Sequence, residues 1–196
     1  MSYRRKDGYW RQAKKEGYRS RASYKLMQLN STFRLLKKGD AVLDIGCAPG
    51  GWMQAAREIV GDPGYVLGID LQKIAPFEEE NVEALQADIT RSDILTIIRE
   101  RKEMFDVVIS DISPNISGIW DVDHFRSVEL SEKALDLAVE LLRNRGNFLV
   151  KVFQGEATRD FFEKVKAHFS YAKISSPKAS RKSSAEVYVI GKHFSR

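Results

Sequence analysis

Between residues 41 and 190 short apolar runs alternate with longer segments of helical periodicity, and this rhythm constrains the chain more than any other feature. The spacing predicts strands over 41–46, 64–70, 82–87, 105–111, 146–153, 171–175 and 186–190. Helices are expected over 51–60, 92–101, 123–143 and 158–169, the long one presenting Leu130, Ala134, Leu137, Ala138, Leu141 and Leu142 on one face. A short, uninterrupted apolar run such as Ala41-Val42-Leu43-Asp44-Ile45-Gly46, ending in glycine, reads as a strand buried on both faces of a parallel sheet. Strand–helix alternation then implies an α/β sandwich: a doubly wound, mostly parallel seven-stranded sheet with helices on both faces. The first 40 residues read as helical. Tyr24, Met27, Leu35 and Leu36 form a rough stripe there, with Ser20 or Ser23 as candidate cap. A length of 196 residues suits one domain, 1–196, with 1–40 as a basic helical extension.

Charge is distributed unevenly along this framework. Residues 1–40 carry 12 Lys/Arg against 3 Asp/Glu, residues 41–150 carry 10 against 20, and residues 151–196 carry 10 against 4. The two basic ends, the first interleaved with Tyr3, Tyr9, Trp10, Tyr18 and Tyr24, suit phosphate pairing and base stacking, so a nucleic acid is the expected partner. Arg4, Arg5 and Lys6 are expected to belong to that surface. A single cysteine, Cys47, excludes a disulfide framework and cysteine metal sites, and reads as a small packing residue. No metal site is expected. The chain shows neither a signal-peptide pattern nor an apolar run of membrane-spanning length, so a soluble, cytoplasmic protein is expected, with no membrane partner.

Ligands of open α/β sheets bind beyond the carboxyl ends of the strands. There the sequence places a glycine-rich turn, Asp44-Ile45-Gly46-Cys47-Ala48-Pro49-Gly50-Gly51-Trp52, then Asp70 after the second strand and Asp111 after the fourth. Ala48 breaks the dinucleotide pattern G-x-G-x-x-G, and no G-K-[ST] follows the turn, which removes the phosphate-binding loop of nucleotide triphosphatases. Asp70 is placed to accept both hydroxyls of a ribose. Asp88 either accepts the exocyclic amine of an adenine or caps the following helix. A glycine turn with a distal aspartate favours S-adenosylmethionine over a nicotinamide dinucleotide. Trp52 reads as core or loop packing rather than a stacking platform.

Two polar residues interrupt the last apolar strands: Lys151 within Phe148-Leu149-Val150-Lys151-Val152-Phe153, and Glu186 ahead of Val187-Tyr188-Val189. A lysine inside such a run must be paired to be buried, and Asp111 is its natural partner. Taken with Ser20-Arg21-Ala22-Ser23-Tyr24-Lys25-Leu26, the glycine turn, Ser110-Asp111-Ile112-Ser113-Pro114-Asn115-Ile116-Ser117-Gly118, Lys151-Val152-Phe153-Gln154-Gly155 and Ser180-Arg181 with Ser184-Ala185-Glu186-Val187-Tyr188, the sequence resembles the FtsJ/RrmJ-type (RlmE) ribosomal RNA 2′-O-methyltransferases. The resemblance implies the Rossmann-like methyltransferase fold and a catalytic Lys-Asp-Lys-Glu tetrad at Lys25, Asp111, Lys151 and Glu186. It implies S-adenosylmethionine contacts at Gly46, Pro49, Gly50, Gly51, Trp52, Asp70, Leu71, Asp88 and Asp111. The implied substrate is a ribose, of a uridine, in large-subunit (23S-type) ribosomal RNA or the assembled subunit, and the implied enzyme a monomer. A transfer-RNA anticodon-loop 2′-O-methyltransferase is the alternative. Lys151 then serves either as general base or as a charged orienter of the hydroxyl; two lysines and two carboxylates leave that choice open.

Overall fold

The computed structural model describes residues 8–181 and 184–196; Tyr3, Arg4, Arg5 and Lys6, like Lys182 and Ser183 of the basic loop, lie outside these. Its strands are β1 (Ala41–Ile45), β2 (Tyr65–Asp70), β3 (Val82–Gln86), β4 (Phe105–Ser110), β5 (Leu142–Phe153), β6 (Phe169–Ser175) and β7 (Glu186–Phe194). The helices are α1 (Gly8–Lys15), α2 (Ser23–Phe33), α3 (Gly51–Val60), α4 (Ile94–Arg99), α5 (Trp120–Leu141) and α6 (Thr158–His168). One seven-stranded sheet runs β3-β2-β1-β4-β5-β7-β6. Its first five strands are parallel, and β7 lies antiparallel between β5 and β6.

The alternation of side chains along each strand explains why both faces are covered. Leu43 and Ile45 of β1, Val108 of β4 and Val187 and Val189 of β7 pack with α4, α5 and α6 on one side. Val42, Val107, Tyr188 and Ile190 pack on the other with α2 and α3. With every second residue going to each core, all five β1 residues are buried, which is why that strand reads as a continuous apolar run.

Residues 8–15 form the helix α1, in line with the helical reading of the amino-terminal segment. Two local expectations are corrected. Neither Ser20 nor Ser23 caps α2: Ala22 occupies the cap position, and Ser23 Oγ donates to the carbonyls of Ser20 (2.9 Å) and Gly51 (2.8 Å), fastening the helix to the glycine turn. The Tyr24–Leu36 stripe is interrupted because α2 stops at Phe33, where Arg34 turns left-handed (φ 52°); Leu35 and Leu36 are buried from the segment beyond.

Candidate active site

The carboxyl ends of the parallel strands open into a cavity of about 470 Å3 whose walls include Gly46 beyond β1, Asp70 and Leu71 at the end of β2, Asp88 beyond β3 and Asp111 beyond β4. Gly46 has φ +75°, and a Cβ there would stand 2.6 Å from Cβ and 2.9 Å from Cα of Ile112, so both conformation and space require glycine. Asp70 braces the turn, accepting the Ala48 amide on Oδ2 (2.9 Å) and the Gln72 amide on Oδ1 (2.8 Å). Asp88 Oδ1 accepts the Thr90 amide and hydroxyl (2.8 and 2.7 Å), bonds that hold its carboxyl below the usual range; α4 starts only at Ile94, so Asp88 braces a turn rather than a helix.

The electrostatics of this cavity select its ligand. Asp70, Asp88 and Asp111 line it, and among the described residues no Lys, Arg or His does. Just behind them Asp44 is fully buried, with neither carboxylate oxygen bonded to a described partner. Burial, then the charges of Asp111 and Asp70, push its carboxyl well above the usual range. Such a cavity repels a pyrophosphate and favours a cation, and its volume falls within the range of nucleoside-sized sites. S-adenosylmethionine, a sulfonium with an adenosine half, fits that donor set.

Four of the expected cofactor contacts, Pro49, Gly50, Gly51 and Trp52, do not line the cavity. Three of them have structural partners elsewhere. A Cβ on Gly51 would meet Ser20 Oγ at 2.1 Å, and one on Gly50 would meet Arg19 and Phe77 at 3.0 Å, so the two glycines admit the segment that leads into α2. Trp52 is buried, donates from Nε1 to the Ala22 carbonyl (2.9 Å) and stacks on Tyr188 with ring centroids 5.9 Å apart.

Beside the cavity the four residues of the expected tetrad converge. In the β5–β7 ladder Lys151 stands opposite Tyr188 and Phe153 opposite Glu186, so Lys151, Tyr188 and Glu186 share the face covered by α2 and its Lys25. Lys25 Nζ lies 2.7 Å from Glu186 Oε2. Lys151 Nζ donates to the Asp111 carbonyl (2.7 Å) and sits 3.5 Å from Asp111 Oδ1. Both lysines are almost wholly buried, 7% and 4% exposed, which two carboxylates in reach make tolerable. Burial alone would raise the Glu186 carboxyl, but Lys25 and Lys151 outweigh it and hold the group below its usual range. Asp111 belongs to both constructions, lining the cavity and bonding Lys151.

A fifth member was missed from sequence. The Tyr188 hydroxyl donates to Asp111 Oδ1 (2.9 Å), and burial first, then Asp111, pushes that phenol well above its usual range. The period of two places Tyr188 on the Glu186 face, but a tyrosine in a strand reads as ordinary packing.

A doubly wound sheet with an antiparallel strand beside β5, and an acidic cavity at its carboxyl edge, is the Rossmann-like fold of methyltransferases. The chain belongs to the FtsJ-like methyltransferase family, whose model matches residues 18–194. It is 56% identical over 195 residues to the ribosomal RNA large subunit methyltransferase E of Methanocaldococcus jannaschii, spanning 97% of this chain and 80% of that protein. The corresponding enzyme of Methanosarcina acetivorans is 53% identical over 196 residues, 99% of this chain and 71% of the relative. Among solved structures, a Plasmodium falciparum chain described as a ribosomal RNA methyltransferase superposes with a TM-score of 0.81 at 28% identity, covering 90% of this chain and 98% of the other.

Proposed function

We propose that the protein methylates the 2′-oxygen of a ribose in large-subunit ribosomal RNA, at a uridine, as a monomeric cytoplasmic enzyme whose residues 1–40 extend a single methyltransferase domain toward the RNA. The observation that carries the reading is the sharing of Asp111: one residue forms part of the acidic cofactor cavity and of the lysine–carboxylate cluster, so methyl donor and hydroxyl meet at one point. The names of the relatives support ribosomal RNA, free or in the assembled subunit, over transfer RNA.

S-adenosylmethionine, when bound, supplies an electrophilic methyl group on a sulfonium. Asp70 would hold its ribose hydroxyls, Asp88 its adenine amine, and Asp111 would offset its positive charge. Lys151 faces the substrate hydroxyl: having first released a proton to solvent, its Nζ takes the hydroxyl proton as the oxygen is methylated and is left as the ammonium that Asp111 and Glu186 stabilise. Lys25, held by Glu186, orients the ribose and steadies charge on its oxygen. Positioning of this kind accounts for several kcal/mol of barrier lowering.

The test is to incubate the protein with labelled S-adenosylmethionine and unmodified total RNA, then digest to nucleosides. Label is expected in a 2′-O-methylnucleoside of large-subunit RNA. Label on a base overturns the reaction class, and label confined to transfer RNA overturns the substrate.

A further inference from the structure

Two smaller cavities meet at Glu186, and their walls differ in chemistry. One, about 340 Å3, is walled by Ile116, Trp120 and Phe153. The other, about 250 Å3, is walled by Arg21, Lys25 and Arg181. Ser184 and Glu186 belong to both. We propose that together they form the subsite of the target nucleotide: its base stacks in the Trp120 cavity, its ribose lies over Glu186, and an adjoining phosphate enters between Arg21 and Arg181. This inference rests on the RNA-methylating reading above and extends it to how the nucleotide is held.

The argument is one of shape and order. A nucleotide carries its flat apolar base and its anionic phosphate on opposite sides of the sugar, and the chain presents a flat apolar wall and a cationic wall in two cavities that share Glu186, the tetrad carboxylate paired with Lys25. The apolar wall is built in advance. Asp123 accepts the amide and hydroxyl of Ser117 on Oδ1 (2.7 Å each) and the Gly118 amide on Oδ2 (3.1 Å), which fixes the loop bearing Ile116 at the start of α5. The Trp120 ring lies nearly parallel to Phe153 (21°, centroids 6.0 Å) and to His124 (16°, 6.4 Å), while remaining 48% exposed. An indole held flat and half open to solvent costs stability unless something covers it, and an unstacked base is a π-face of matching size. In the other cavity Arg21 and Arg181 line one wall with Lys25; burial, then the charge of Arg181, lowers the Arg21 pKa while Glu186 raises it, and a phosphate offers these cations charge-assisted hydrogen bonds. A ribose 2′-oxygen can reach a buried lysine only if its nucleotide leaves the helix stack, and a stacking wall offsets part of the cost of extruding it.

The test uses the full chain with a transcript of large-subunit ribosomal RNA. Trp120→Ala is expected to lower kcat/KM for RNA about 5- to 150-fold, the measured range for loss of one base–aromatic stack, mainly through KM. Trp120→Tyr should restore most of it, and affinity for S-adenosylmethionine should stay within twofold of wild type in both. With RNA abasic at the methylated nucleotide, Trp120→Ala should cost no more than twofold. Arg181→Ala should lower the slope of log affinity against log salt by about one. A Trp120→Ala enzyme within twofold of wild type on intact RNA, or equally impaired on abasic RNA, overturns the subsite and makes the exposed wall a contact for something other than the base. Absence of any RNA methylation by the wild type overturns instead the reading on which the subsite rests.

Discussion

In the proposed reaction Lys151 is the residue on which the chemistry turns: it interrupts an apolar strand, and its Nζ is buried against Asp111. Replacing it by alanine should lower methyl transfer at least about 100-fold, the usual contribution of a positioned proton acceptor. Lys151→Arg should fail as well, since a guanidinium keeps its proton; single-turnover rates on one RNA measure both, and an active arginine variant would assign Lys151 the orienting role. Tyr188→Phe removes a donor to a charged carboxylate while leaving the ring stacked on Trp52, and should cost about 1.5–3 kcal/mol of stability by denaturant titration. Asp44 behaves oppositely. Its folded-state pKa is raised, so the folded protein binds the proton more tightly than the unfolded chain, and stability is lost as pH rises above the ordinary aspartate range. The stability of Asp44→Asn relative to wild type should therefore improve from pH 5 to pH 8 in the ligand-free protein, and a constant difference would contradict a protonated Asp44. Lys151 and Glu186 are legible in sequence because a charge breaks an apolar run. Asp44 and Tyr188 are not, since nothing local distinguishes a carboxylate with partners from one without, or a tyrosine that packs from one that donates.

At the level of elements, the glycine turn works as a joint between the sheet and the basic amino-terminal segment. Gly46 makes room for Ile112 beside the cofactor cavity, whereas Gly51 makes room for Ser20, and the Gly51 carbonyl receives Ser23 at the start of the helix that carries Lys25. Gly51→Ala should thus cost about 1–3 kcal/mol by overpacking. It should also slow methyl transfer more than it weakens S-adenosylmethionine binding, because it displaces α2 rather than the cavity wall; the ratio of the two effects, from kcat and from titration of the cofactor, is the check. Sequence spacing places the glycines at the strand end but assigns all of them one role, since a turn glycine looks the same whether a ligand or another segment approaches it. The strands themselves are legible from their apolar runs. Their order is not: the place of β7 between β5 and β6, which brings Glu186 to Lys151, depends on pairing between residues 33 to 43 apart in the chain.

For the whole molecule, the uneven charge of the sequence becomes a spatial division. The acidic middle supplies the carboxylates of the cofactor cavity, and the basic ends supply Lys25, Arg21 and Arg181 around Glu186. RNA affinity should therefore fall steeply between 50 and 200 mM salt through counterion release, by about a thousandfold or more if six or more phosphates are engaged, while cofactor affinity changes little. A salt-insensitive RNA affinity would mean that the basic ends are only a solvated surface. The central claim, that one shared aspartate joins an S-adenosylmethionine cavity to a lysine that activates a ribose hydroxyl, is tested most directly by mapping the methyl group that wild type and Lys151→Ala leave on large-subunit ribosomal RNA under single-turnover conditions. The account predicts one ribose 2′-O-methyl from the wild type and less than about a hundredth of that rate from the variant, with cofactor affinity retained. Methylation of a base, or a variant within a few fold of wild type, would contradict it.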